Sequence, residues 1–155
     1  CFLHYQKKEH MTNSEKLILT SISYLGVKEN PNGWDENIQR WIKASCQSLG
    51  IADPMDDSSF AWCACFISNM LIESQIWTPN TKHIVAARSF LKAFQPVTVP
   101  LLGDIVILER GPANGHIGIF INQTKTTYKL LSGNSGDSVS INDFQKSRTI
   151  GLRRI

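Results

Sequence analysis

The segment HIGIFINQTKTTYKLLSGN, residues 116–134, decides the fold of this chain. Isoleucine occupies every second position in HIGIFI, TYKLLS has strand character, and the polar run QTKTT lies between them. Such segments are typical of half-buried strands that form a hairpin. A hairpin centred on Lys125 places Asn134 opposite His116. The two faces of the first strand then carry different side chains: Ile117, Ile119 and Ile121 on one, and His116, Gly118 and Phe120 on the other.

Further strands are expected on both sides of the hairpin, and helices before them. The other segments with strand character are DIVIL (104–108), SVSI (138–141) and RTIGLRR (148–154). Four helices are expected. The first begins with a capping box at Thr12 and Glu15, and the second begins with a cap at Asp35 and stops at Gly50. The third has an apolar face from Cys63 to Leu71, and the fourth runs through Ile84, Ala87, Leu91 and Phe94 and is ended by Pro96. Helices followed by strands favour an α+β fold, with N-terminal helices packed on a C-terminal antiparallel sheet.

The composition is that of one globular domain. The 155 residues suffice for one hydrophobic core, and we expect a tail or linker over residues 1–11 and a single catalytic domain over residues 12–155. A net charge of +3 is too small to indicate a nucleic-acid partner. No apolar run approaches the roughly 20 residues of a membrane span, and the first residues lack the apolar region of a secretion signal. A lipoprotein attached through Cys1 is the alternative, but nothing after Cys1 supports it.

The cysteines are too few for a disulfide scaffold and are wrongly spaced for zinc. Cys63 and Cys65 form a C-x-C pair without a matching second pair, so we expect reduced thiols and no metal. Residues two apart on a helix point about 200° apart, which directs Cys63 toward the sheet and Cys65 elsewhere. In the first helical turn, Cys63 would have a lowered pKa if a histidine assisted it. Without such a partner, both thiols are better explained as core residues.

His116 is the histidine best placed to be that partner. His4 and His10 fall in the expected tail, and His83 lies in a polar segment where a solvated or capping role is expected. An amide opposite His116 could fix its tautomer, which gives Asn134 a role, although Asn134 also fits a plain turn asparagine with left-handed backbone. The run GNSGD is similar to the serine-protease nucleophile loop, but the helical first half excludes Ser135 as the nucleophile of such a fold.

The motifs together resemble the NlpC-type and CHAP-type cysteine peptidoglycan hydrolases, which have a papain-like fold. The likeness is greatest to a subfamily found in phage and bacterial lysins and effectors, and it runs through most of the chain. Its motifs here are YLGVKEN (24–30), WCACFI (62–67), ARSFL (87–91), LGDIVI (102–107), GHIGIF (115–120), SGNSGDSV (132–139) and KSRTIGLRR (146–154). Cys65 stands where the subfamily usually has alanine, and Leu102 where it usually has proline.

This resemblance implies a site and an activity. It implies Cys63 as the nucleophile, His116 as the general base and acid, and Asn134 as the orienting residue, with the backbone N–H of Cys63 in the oxyanion hole. Trp62 and Arg88 are expected near the substrate, although each also suits a structural role. The expected reaction is cleavage of a wall-peptide amide, as an N-acetylmuramoyl-L-alanine amidase or a D,L-endopeptidase, without a cofactor.

The same resemblance carries expectations about partners and place of action. The partner would be a peptidoglycan stem peptide, with an immunity protein or a phage holin as a further partner. A monomer is expected, acting in the periplasm or at the cell wall after delivery. The alternatives are a non-catalytic wall-binding or virion structural module and a papain-like protease that acts on protein.

Overall fold

The structure, a computed structural model, describes residues 11–56 and 60–155. The expected tail lies outside these residues except for Met11. Within these ranges three α-helices come first: α1 (Asn13–Ile22), α2 (Glu36–Leu49) and α3 (Cys63–Glu73). None of the helices in the described ranges is long and apolar enough to cross a membrane.

The helix ends confirm the caps that the sequence predicts. Thr12 caps α1 in a capping box, since its side chain accepts from the Glu15 backbone and the Glu15 carboxylate accepts from the Thr12 backbone. Asp35 caps α2 by accepting the backbone N–H groups of Asn37 and Ile38. The helix α2 ends at Gly50, whose φ of +66° lies in the left-handed region that glycine adopts without strain.

The prediction of a fourth α-helix is wrong, because Ala87–Lys92 forms a short 3-10 helix instead. Ser68 of α3 explains the loss of the first part. Its hydroxyl donates to the carbonyl of Ile84 at 2.9 Å and accepts the N–H of Ile84 at 3.0 Å, so this residue bonds to α3 rather than to a helical turn of its own. At the other end Phe94 has a φ of +62°, which no helix contains.

In the described part of the chain, six strands form one antiparallel sheet in the order β1-β6-β2-β3-β4-β5. They are β1 (Gln95–Pro96), β2 (Ile105–Arg110), β3 (Asn114–Gln123), β4 (Thr127–Ser132), β5 (Ser140–Gln145) and β6 (Thr149–Arg154), with a 3-10 turn at Lys146–Arg148 before β6. The predicted strands are present, although β5 begins two residues later than SVSI, and the two-residue β1 had no sequence signal. The α+β prediction is confirmed.

The two faces of the sheet bury different side chains. Ile117 and Ile119 lie in the main core with the apolar side of α3, as does Leu131 of β4. The opposite face has its own smaller apolar cluster: Val106, Leu108, Phe120, Tyr128, Leu130 and Leu152. The alternation read from HIGIFI is therefore confirmed, and α3 packs on the isoleucine face.

Candidate active site

Cys63 is the first residue of α3, and its side chain is 4% exposed. The backbone N–H groups of Ala64 and Ile117 interact with its sulfur. The first belongs to the free N-terminus of α3, where unpaired N–H groups favour an anion. The second belongs to β3, so the sulfur lies beside the peptide that joins His116 to Ile117.

The pKa of the Cys63 thiol is nevertheless raised above its ordinary value. Burial is the largest cause and outweighs the stabilisation of a thiolate by the N–H groups of Ala64 and Ile117 and by the positive charge of Arg110. The expected lowering of this pKa is therefore wrong for the resting structure. At neutral pH the thiol is protonated, and a base must remove its proton before it can attack.

Cys65 points away from Cys63, toward α2. It is fully buried and interacts with the hydroxyl of Ser45, and burial raises its pKa to about 12. A thiol this difficult to ionise has no nucleophilic role at neutral pH. Cys46, Cys63 and Cys65 are all free thiols, and Cys1 lies outside the described residues.

His116 lies on the opposite side of β3 from the isoleucines, and it is 4% exposed. Its ring stacks on Phe144 of β5 with 5.1 Å between ring centroids. Its Nε2 atom is 3.1 Å from the hydroxyl oxygen of Ser132 at the end of β4. Within the described part of the chain Nδ1 has no hydrogen-bond partner, so Nδ1 is the nitrogen left for the thiol.

Ser132, rather than Asn134, is the residue whose side chain is hydrogen-bonded to the imidazole in this structure. The predicted register is present where Ile119 pairs with Leu131 and Phe120 with Leu130, but β4 ends at Ser132. Asn134 therefore lies beyond the ladder, in a turn with a φ of +55°. It lines the same cavity as His116, but no hydrogen bond joins their side chains. The plain turn interpretation of Asn134 describes its backbone correctly.

Gly118 is the reason that Ser132 reaches the imidazole. A Cβ atom at residue 118 would lie 2.9 Å from Cβ of Leu130 and 3.2 Å from Cβ of Ser132. Because glycine lacks that atom, the side chains of β4 close over β3 beside His116. The sequence could have indicated Ser132, because the residue diagonally across from His116 on the next strand lies within reach of a long or aromatic side chain.

The sulfur of Cys63 lies beside the backbone N–H of Ile117, the residue after His116, but Cys63 and His116 line two separate cavities. Cys63 lines a cavity of about 520 Å³, and His116 lines one of about 220 Å³ together with Asn134. No hydrogen bond between thiol and imidazole is present in the described structure. Arg110 lines both cavities and is the residue they share.

The pKa of His116 is lowered to about 4, first by burial and then by the positive charges of Arg110 and Arg148. The imidazole is therefore neutral at pH 7 and can accept a proton. Its basicity is low while the ring remains in the pocket beside Phe144.

Trp62 and Arg88 have structural roles. Trp62 is fully buried, and its indole N–H donates to the carboxylate of Glu29 at 2.8 Å, so the expectation of a substrate contact is wrong. Arg88 donates to the carbonyls of Asn114 and Gly111, at 2.9 and 3.0 Å, and so ties its 3-10 helix to the turn between β2 and β3. Arg88 also lines the cavity of Cys63, which leaves a substrate contact open to it.

The described residues contain no group of three or more His, Cys, Asp or Glu side chains that could hold a metal ion. No protein-family model matches the chain, and no curated protein matches it. Among solved structures it is similar to RipD of Mycobacterium tuberculosis, with a TM-score of 0.55 and 16% identity over 94% of this chain and 99% of that one. The chain has an NlpC/p60-like fold. RipD is described as a non-catalytic NlpC/p60 domain protein adapted to peptidoglycan binding.

Proposed function

We propose that this chain is a cysteine hydrolase that cleaves an amide bond in peptidoglycan stem peptides, as an N-acetylmuramoyl-L-alanine amidase or a D,L-endopeptidase. The observation that carries the proposal is the position of the Cys63 sulfur. It lies at the start of α3, faces backbone N–H groups from two elements, and adjoins the strand residue that bears the imidazole. Such an enzyme would act in the periplasm or at the cell wall.

The first step is movement of the His116 ring toward the thiol. Proton transfer from a thiol with a raised pKa to an imidazole with a pKa of about 4 is unfavourable, so the imidazole has to become more basic before it takes the proton. A ring that shifts away from Phe144 while Nε2 keeps its bond to Ser132 loses burial, which raises its basicity, and Nδ1 can then take the proton of Cys63.

The chemistry that follows is acyl transfer. The thiolate attacks the amide carbonyl carbon, and the backbone N–H of Cys63 at the helix start stabilises the oxyanion, an interaction typically worth about 3 kcal/mol for each donor. The C–N bond then breaks, and His116 gives its proton to the leaving amine. Water, deprotonated by His116, attacks the thioester, which releases the carboxylic acid and restores the thiol.

A peptidoglycan-binding domain without catalysis is the second candidate. Two observations favour it: RipD has the same fold and is described as non-catalytic, and the thiol and imidazole do not bond to each other in the resting site. A binding domain would hold stem peptides in the same cavities without changing them.

Digestion of purified peptidoglycan separates the two candidates. The wild-type protein should release muropeptides that mass spectrometry identifies, and the mass of each product shows which amide was cut. Cys63→Ala should release none while still sedimenting with the wall, and Cys65→Ala should remain active. Binding by the wild type without any product would support the binding domain. Release of peptides from casein but not from wall material would instead indicate a protease that acts on protein.

A further inference from the structure

Among the residues that the structure describes, the charged side chains that line the two cavities are all arginines. Arg88 and Arg110 line the cavity of Cys63, and Arg110 and Arg148 line that of His116. Among the described residues, neither cavity has an aspartate or glutamate in its lining. Clefts lined by charges of one sign concentrate the field and attract ligands of the opposite sign. The positive charge of these arginines therefore favours an anionic ligand over a cationic one.

Two of these arginines are already engaged by backbone carbonyl groups. Arg88 donates to Asn114 and Gly111, and Arg148 donates to the carbonyl of Glu109 at 3.0 and 3.2 Å. Carbonyls fix the position of a guanidinium without neutralising its charge. Both residues thus add positive potential to the site while their geometry serves the fold.

Arg110 differs from both because its guanidinium has no hydrogen bond or ion pair with any described residue. It ends β2, is exposed, and stands where the two cavities meet. Its charge acts on both the Cys63 thiol and the His116 imidazole. A guanidinium is the side chain best suited to bind a carboxylate through two parallel hydrogen bonds.

We propose that Arg110 binds a substrate carboxylate and that the site selects peptides with a free carboxylate near the scissile amide. This inference rests on the proposed function, because it names the substrate class of that site. Stem peptides meet this requirement when their carboxylates are free, and they no longer meet it when those groups are converted to carboxamides. Amidation of the wall peptide would then protect it from this protein.

The test is binding of a synthetic stem tetrapeptide to the Cys63→Ala protein, measured by titration calorimetry. The peptide is used with its carboxylates free and with all of them amidated. The free form should bind on the order of ten-fold more tightly, because a hydrogen-bonded charge pair is lost on amidation. Arg110→Gln in the same background should remove this preference, and Arg110→Lys should restore part of it.

Lys125→Gln is the matched control, since it removes the same charge at the other end of the β3–β4 hairpin and should keep the preference. An Arg110→Gln protein that still prefers the free peptide as strongly as its parent would overturn the inference. Failure of the proposed function looks different: the wild type would bind the free peptide through Arg110 and leave it intact. Equal cleavage of free and amidated peptides by the wild type would support the hydrolase and refute the role of Arg110.

Discussion

Acid should destabilise this protein through His116, and the size of the effect follows from its burial. The imidazole binds a proton at its ordinary pKa of 6.5 in the unfolded chain and at about 4 in the folded one. Between these values the unfolded state holds more protons, so the free energy of unfolding falls as the pH is lowered. The contribution is complete above pH 6.5 and is lost as the pH falls to about 4.

The pKa difference corresponds to about 3 kcal/mol, since each unit is worth about 1.4 kcal/mol. For a domain of this size, that loss lowers the melting temperature by about 6 to 12 °C. We expect urea denaturation of the wild type at pH 7.5, 6, 5 and 4 to show it. His116→Gln cannot titrate, so its free energy of unfolding should lose about 3 kcal/mol less than that of the wild type over the same range.

His83 provides the control for this measurement, because burial lowers its pKa as well. Its Nδ1 atom lies 2.8 Å from the hydroxyl oxygen of Ser45 in α2, and His83 is not among the described residues that line the two cavities. His83→Gln should remove only the part of the acid sensitivity that belongs to His83. Identical pH dependence in the wild type and His116→Gln would refute the reasoning, since His116 would then titrate at its unfolded value.

Two further predictions concern the end of β4. Ser132→Ala removes the bond to Nε2 of His116 and should lower kcat on wall peptides by roughly ten-fold or more, with a shifted pH profile. Asn134→Ala should lower kcat less. If Asn134→Ala had the larger effect, the asparagine would be the orienting residue. Gly133→Ala introduces a Cβ that would lie 2.6 Å from Cζ3 of Trp62 and should lower the free energy of unfolding by about 1 to 3 kcal/mol in urea, so an unchanged midpoint would contradict it.

The features predicted correctly from the sequence are those that local patterns determine. Caps at Thr12 and Asp35 depend on residues two or three positions away, and alternation along a strand depends on its own pleat. The predicted pairing register of β3 with β4 is also present next to the site, where Ile119 pairs with Leu131. Each of these is decided within a short stretch of chain, which is why the order of helices and strands could be predicted.

The errors arose where a distant side chain competes with a local pattern. Ser68 binds the backbone of Ile84 across 16 positions and prevents the fourth α-helix. Glu29 fixes the indole of Trp62 across 33 positions and keeps it in the core. The raised pKa of Cys63 likewise comes from burial, which depends on the whole fold rather than on its place in α3.

The alternation of side chains along β3 also limits how Cys63 and His116 can meet in the proposed reaction. A helix that packs on the isoleucine face lies on the side of the sheet away from His116, so its cysteine can approach the imidazole only where the sheet opens. Continued register would place Gly133 opposite Ile117, but β4 ends one residue earlier, and Gly133 lies instead against Trp62 and Phe66.

The early end of β4 therefore has two consequences. It takes Asn134 out of the ladder, and it lets the first turn of α3 reach β3, where the N–H of Ile117 interacts with the sulfur of Cys63. A side chain at residue 133 would close this opening. For that reason Gly133→Ala should slow any reaction of Cys63 by more than its loss of stability alone explains. The measurement is the rate of Cys63 alkylation in the folded variant. A rate equal to that of the wild type would show that the opening does not control access to the thiol.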